Sequence, residues 1–337
     1  MSESPSSRAS AEEPLPRMPS EEPLHPLPAS PPSEKRPRKR KNETLVRWGT
    51  AAVLVPAVLY IIALGGLAYL VTVVVITLLG QSEFYRLIED KGAHPNWSLG
   101  LSAGAAIPVV AYVGTDYQAT ILMTAFLLAL MVAQLGKAQV SEALASISGT
   151  FFGVFYVGWL LSHAIPLRHF YDATHDRYRG EDLVLLGLTP DSGIFLMVFV
   201  LWTVVWCDAG AYFAGRAYGR RKLAPQISPG KSVEGALGGV IMGSFGGLGA
   251  KLLFDFFWPE LSACFPWRAT IPFAIVLSLV GITGDLVESL IKRDAKVKDT
   301  GALLPGMGGV LDRIDAPLLA IPVMYYMMMA YVFLRIG

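Results

Sequence analysis

Between Ser289 and Asp315 the chain reads SLIKRDAKVKDTGALLPGMGGVLDRID, which places four aspartates, three lysines and two arginines in one short stretch. Apolar runs long enough to be membrane spans flank it on both sides. Charge of both signs at that density, so close to a bilayer, is too costly to be filler. The residue types suggest a task. Carboxylates are hard oxygen ligands suited to Mg²⁺, and Lys292, Arg293, Lys296 and Lys298 offer positive charge to phosphates. The glycines of Leu304–Gly309 would let backbone amides approach an anion closely. A divalent cation, carboxylates and lysine are the ingredients of transfer at phosphorus, where the protein mainly positions the groups.

The residues just upstream extend this set. In GDLVESLIKR, helical spacing puts Asp285, Ser289 and Lys292 on one face, with Glu288 beside them and able to pair with Lys292 four residues on. Asp285 alone could be a helix-orienting ion pair or a functional acid. After the glycine turn, Asp312, Arg313 and Asp315 return to the membrane surface. A second constellation follows Asp208, in AYFAGRAYGRRKLAPQISPGKSVEG. Its PGKS fragment is not a phosphate-binding P-loop, which needs glycine where Pro225 stands and a strand before it. Ser228, Lys231, Ser232 and Arg216 still suit phosphate contacts, although the arginines of this loop also read as positive-inside anchors.

These groups have to be positioned by membrane helices. The chain of 337 residues is 53% hydrophobic and 16% charged, with a mean hydropathy of +0.46. That is far more apolar than a soluble domain. About nine spans are expected, at roughly 48–64, 67–86, 98–113, 119–136, 147–165, 193–214, 235–256, 269–291 and 316–335. The fold class is therefore all-α and polytopic, with a membrane domain over residues 45–337. Residues 1–44 differ: ten of the 23 prolines fall within the first 42 residues, and so little apolar surface cannot offset ordering entropy. A disordered tail is expected.

The tail ends in Lys35, Arg36, Arg38, Lys39, Arg40 and Lys41, directly before the first span. Beside a membrane this cluster reads as a cytoplasmic anchor on anionic lipid rather than a nucleic-acid site. No cleavable signal peptide is visible. Parity then carries the loop with Arg216, Arg220, Arg221, Lys222 and Lys231 to the cytoplasmic side, as its own charge requires. The polar loop around His169, Asp172, His175 and Asp176 falls on the other side and matches no zinc template. Cys207 and Cys264 lack metal or disulfide spacing. Gly235, Gly239, Gly243 and Gly247 form a four-residue stripe that allows close helix approach, within the chain or in a homodimer.

The two charged constellations resemble those of the phosphatidate cytidylyltransferase family, the integral-membrane CDP-diacylglycerol synthases. Ser289, Lys292, Arg293, Lys298, Asp299, Gly301, Leu304, Pro305, Gly306, Gly308, Gly309, Asp312, Arg313 and Asp315 fit its C-terminal signature. DAGAYFAGRAYGRRKLAPQISPGKSVEG is similar to a second conserved loop, and EFYRL near Glu83 belongs to the likeness, which runs from about Leu45 to the C-terminus. The resemblance implies condensation of CTP with phosphatidic acid in a bacterial inner membrane, with Mg²⁺ required and K⁺ assisting. By position, Asp285 and Asp312 would hold the metal, with Asp299 and Asp315 as further metal or network residues. Lys292 would bind phosphate at the reacting centre. Ser228, Lys231, Arg216, Arg293 and Arg313 would contact nucleotide or lipid phosphate. One letter departs: Met307 stands where the family has histidine, and a thioether cannot transfer a proton.

Two rival readings come from other classes. An ion-coupled transporter would use Asp208 and Asp285 near the midplane and show repeated halves, but no internal repeat is present. A catalytically silent lipid-phosphate-binding homologue is the other, with Met307 as its support.

Overall fold

In hydrocarbon, backbone groups have no water to bond, so apolar segments satisfy them internally as helices. The computed structural model describes residues 41–136, 142–175, 177–304 and 307–336. The tail through residue 40, with most of its basic cluster, lies outside the described residues, as do Asp176, Pro305 and Gly306. The helices are α1 (Lys41–Leu64), α2 (Gly66–Asp90), α3 (Trp97–Val113) and α4 (Asp116–Leu135). Next come α5 (Ala143–Arg168) and two short surface helices, α6 (Phe170–His175) and α7 (Gly180–Leu185). After these run α8 (Ser192–Tyr218), α9 (Val233–Phe257), the single-turn α10 (Pro259–Ser262), α11 (Trp267–Asp294) and α12 (Leu311–Ile336). Among the described residues seven helices are long and apolar enough to cross a bilayer. The other two expected spans correspond to the shorter apolar helices Gly49–Leu64 and Trp97–Val113.

Local chemistry sets several boundaries. Gly65 and Gly66 take φ of +63° and +54°, which separates α1 from α2. The buried Arg168 closes that break: its Nε donates to Ile62 O at 2.6 Å and its Nη2 to Ala63 O at 3.2 Å, carbonyls left unpaired at a helix end. Thr115 and Gln118 form a reciprocal capping box at the start of α4. Ser232 caps α9 by accepting from Gly235 N at 3.1 Å.

One small non-helical element accompanies the helices. Lys222–Ala224 (β1) pairs antiparallel with Ser228–Ser232 (β2), so the ISPGKS segment is the second strand of a small hairpin. Glu234 fixes its base by accepting from Arg220 N at 3.0 Å and Arg221 N at 3.1 Å. Strands this short carry too little periodicity to stand out from a loop.

The glycine stripe packs within the chain. A Cβ on Gly235 would lie 3.1 Å from Gly215 Cα, and one on Gly239 would lie 3.0 Å from Cys207 O, so α8 and α9 meet backbone to backbone. A Cβ on Gly247 would lie 2.8 Å from Ala274 Cβ of α11. Below this contact, the buried rings of Phe195, Phe199, Phe254 and Phe265 form the aromatic core joining α8 to α9 and the α10–α11 turn. Gly247→Leu is expected to overpack this junction, at a cost of ~1–3 kcal/mol. Thermal unfolding in detergent would show it as a lowered midpoint.

Candidate active site

The site begins where α11 and α12 cross. A Cβ on Gly284 would lie 2.6 Å from the carbonyl oxygen of Asp315, so only glycine permits this approach. The crossing brings the next turn of α11 against the first turns of α12. Carboxylate oxygens of Asp285, Glu288 and Asp315 consequently lie within 4.8 Å of one another, the one set of three potential metal ligands among the described residues. Ser289 Oγ donates to Asp285 Oδ1 at 3.3 Å. From the neighbouring hairpin, Lys231 Nζ meets Asp285 Oδ2 at 2.5 Å. Asp208 of α8 is in electrostatic reach of Asp285, Asp315, Lys231 and Arg313.

Lys292 forms the second part. Its ammonium lies 2.9 Å from Glu288 Oε2 and 2.7 Å from Asp312 Oδ1, with the lysine side chain only 14% exposed. The expected pairing four residues apart on α11 is present. Asp312 is saturated: Oδ2 accepts from Thr300 N at 3.0 Å, Thr300 Oγ1 at 3.1 Å and Gly309 N at 2.8 Å. Glu288 is not, because its Oε1 is buried and accepts no hydrogen bond. Such an oxygen, in a cluster of three acids, is costly unless a cation or a proton shared with Asp315 satisfies it.

Beside the cluster a cavity of about 510 Å³ opens between α8, the hairpin, α9 and α11. Ser228, Lys231, Arg216, Asp208 and Asp285 line it. Arg216 Nη1 donates to Tyr212 Oη at 3.2 Å. Arg293 does not reach the cavity wall; its Nε donates to Ile227 O at 3.2 Å and clips the end of α11 to the hairpin. Asp299 and Arg313 are exposed, and Asp299 is outside the clustered acids. Met307 is half-buried in the turn, where its N–H donates to Leu304 O at 2.9 Å.

The glycine turn differs from the anion nest expected of it. Among its described residues, Met307 N donates to Leu304 O and Gly309 N to Asp312, and just beyond the turn Val310 N and Leu311 N donate to Glu83 of α2. Sequence reasoning found Glu83 only as part of a likeness, and it treated Glu288 only as the partner of Lys292. The one available signal was the spacing of Asp285 and Glu288 on one helix face, three residues apart.

A helical membrane protein that sets a carboxylate cluster and a doubly paired lysine beside a cavity lined by both acids and bases has the groups that transfer at phosphorus uses. The chain belongs to the cytidylyltransferase family, whose model matches residues 45–331, and is thus an integral-membrane nucleotidyltransferase. It is 32% identical over 278 residues to the phosphatidate cytidylyltransferase of a Synechocystis species, covering 79% of this chain and 90% of that one. The enzyme of the same name from Haemophilus influenzae is 44% identical over 141 residues, or 41% of this chain and 46% of the relative. That of Bacillus subtilis is 37% identical over 173 residues, 51% and 55% respectively. The matched stretch therefore spans about half the length of these last two.

Proposed function

We propose that the protein condenses CTP with phosphatidic acid, giving CDP-diacylglycerol and pyrophosphate. The observation that carries this reading is the orphaned Oε1 of Glu288, held with Asp285 and Asp315 at the edge of a cavity that Lys231 and Arg216 help to line. The donor set fits a hard divalent cation: three carboxylates, no sulfur and no imidazole. Asp285, Glu288 and Asp315 would hold Mg²⁺, with K⁺ as a possible second ion. When bound, the metal supplies neutralisation of phosphate oxygens and a fixed orientation for them.

The chain's own residues supply the rest. Lys231, Ser228 and Arg216 bind the triphosphate along the cavity wall. Lys292 presents its ammonium to the phosphate at the reacting centre, held there by Glu288 and Asp312. In this reading Asp312 acts through Lys292 and not as a ligand. A phosphate oxygen of the lipid attacks the α-phosphorus, and the bond to the bridging oxygen breaks, releasing pyrophosphate. The attacking phosphate is already ionised at neutral pH, so a general base is dispensable and methionine at 307 is compatible with turnover.

In this reading the site and the N-terminus face the cytoplasm, which is supported by Arg216, Arg220, Arg221, Lys222 and Lys231 bordering the site end of α8. Purified protein in detergent, given labelled CTP, phosphatidic acid and Mg²⁺, is expected to form CDP-diacylglycerol. Omitting the lipid or the metal should remove the product. Product no greater than in a heat-treated control, across several lipid phosphates, would overturn the assignment.

A further inference from the structure

Glu83 lies in α2, more than two hundred residues in sequence from the groups it touches, and is 4% exposed. A carboxylate so deep in a helical bundle needs a full set of donors. It has them. Oε1 accepts from Val310 N at 3.0 Å, while Oε2 accepts from Leu311 N at 2.8 Å and lies 3.0 Å from Thr300 Oγ1. Val310 and Leu311 open α12, so their amides are unpaired by the helix itself, and its dipole favours an anion there.

The fit is built from the partner's side as well. A Cβ on Gly301 would lie 2.6 Å from Glu83 Oε1. A Cβ on Gly309 would collide with Glu83 Oε2 and Thr300 Oγ1. Two glycines of the loop therefore make room for this one carboxylate. Thr300 Oγ1 in turn stands 3.0 Å from Glu83 and 3.1 Å from Asp312 Oδ2. A hydroxyl has one proton, so it links the two carboxylates by sharing it. Asp312 then continues to Lys292 at 2.7 Å.

We propose that Glu83 is a positioning residue for the transfer reaction: its carboxylate fills the amide cradle ahead of α12 and, through Thr300 and Asp312, holds the Lys292 ammonium in place. This rests on the function proposed above. It reaches no substrate itself. Its effect is to keep α2, the loop and the start of α12 in one register, so that Lys292 does not drift from the reacting phosphate.

The test compares full-length wild type with Glu83→Gln, Thr300→Val and Thr300→Ser in lipid nanodiscs. In Glu83→Gln an amide NH₂ must face a backbone N–H, donor against donor. Hydrogen exchange at whichever of Val310 and Leu311 loses its acceptor is expected to rise about tenfold or more, while the hairpin amides stay unchanged. Turnover should fall by about 10²-fold, the scale of an ångström-level misplacement. KM for CTP should stay within about threefold, because triphosphate contacts lie on the hairpin side. Thr300→Ser should keep the turnover that Thr300→Val loses.

Unchanged exchange in a folded Glu83→Gln protein would overturn the inference. So would unchanged turnover, or a fall in turnover matched by an equal rise in KM. If Glu83→Gln does not fold, the threonine pair decides: equal rates in Thr300→Val and Thr300→Ser overturn it. A wild type that makes no CDP-diacylglycerol counts against the proposed function, and the exchange comparison still decides the role of Glu83.

Discussion

Lys292→Met is expected to abolish measurable turnover, by roughly 10³-fold or more, and to destabilise the protein by ~3–5 kcal/mol. Both effects follow from the same geometry. The ammonium is buried between Glu288 Oε2 and Asp312 Oδ1, and removing it leaves two acids facing each other near Asp285 and Asp315. Lys292→Arg should not restore activity, since a planar guanidinium cannot occupy a gap shaped for a compact point charge. The double variant Lys292→Met/Glu288→Gln separates the two effects. Removing the second charge should recover part of the lost stability, read as the thermal midpoint in detergent. Turnover should stay lost. A Lys292→Met protein retaining more than a tenth of wild-type activity would remove lysine from the reacting centre.

The second large effect concerns the metal. Glu288→Gln is expected to raise the Mg²⁺ concentration for half-maximal activity by at least about 10–100-fold, a range already typical of residues that only support metal ligands. Asp285→Asn should do the same and also release Lys231 from its 2.5 Å partner. Chelation by EDTA should stop the wild type, and added Mg²⁺ should restore it. Titrating Mg²⁺ against product formation in each variant measures the shift directly. An unchanged Mg²⁺ requirement in Glu288→Gln would remove Glu288 from the metal site. Asp312→Asn gives the contrast: it should reduce maximal turnover through Lys292 while leaving the Mg²⁺ requirement close to wild type.

Much of this was legible in the chain because the relevant signals are local. The long aliphatic runs had to be helices, and the positions of α8, α9, α11 and α12 follow from them. Lys292 and Glu288 are four residues apart on one helix, so their pairing needs no tertiary knowledge. The glycine stripe predicted close packing, but only the positions of Gly215, Cys207 and Ala274 show that the packing is within the chain. Other features depend on contacts that no local pattern encodes. Glu83 meets its partners across 217 to 228 residues of sequence. The two oxygens of Glu288 face different neighbours, one paired and one orphaned, which composition cannot express. The saturation of Asp312 comes from Thr300 and Gly309, contacts that no spacing in the chain announces. The hairpin is too brief for its alternation to be read.

The uncharged part of α11 has a consequence for where the chemistry happens in depth. From Ala269 to Gly284 the helix carries no charge, and these sixteen residues rise about 24 Å at 1.5 Å each. A bilayer's hydrocarbon layer is about 30 Å thick. With exposed Arg268 held at one boundary, Asp285 stops about 5 Å short of the opposite boundary and the next turn of α11, with Glu288, reaches it. Under the proposed reaction, a lipid substrate would present its phosphate to the site while its acyl chains stay in their own leaflet. Lifting those chains into water would cost about 0.8 kcal/mol for every methylene exposed.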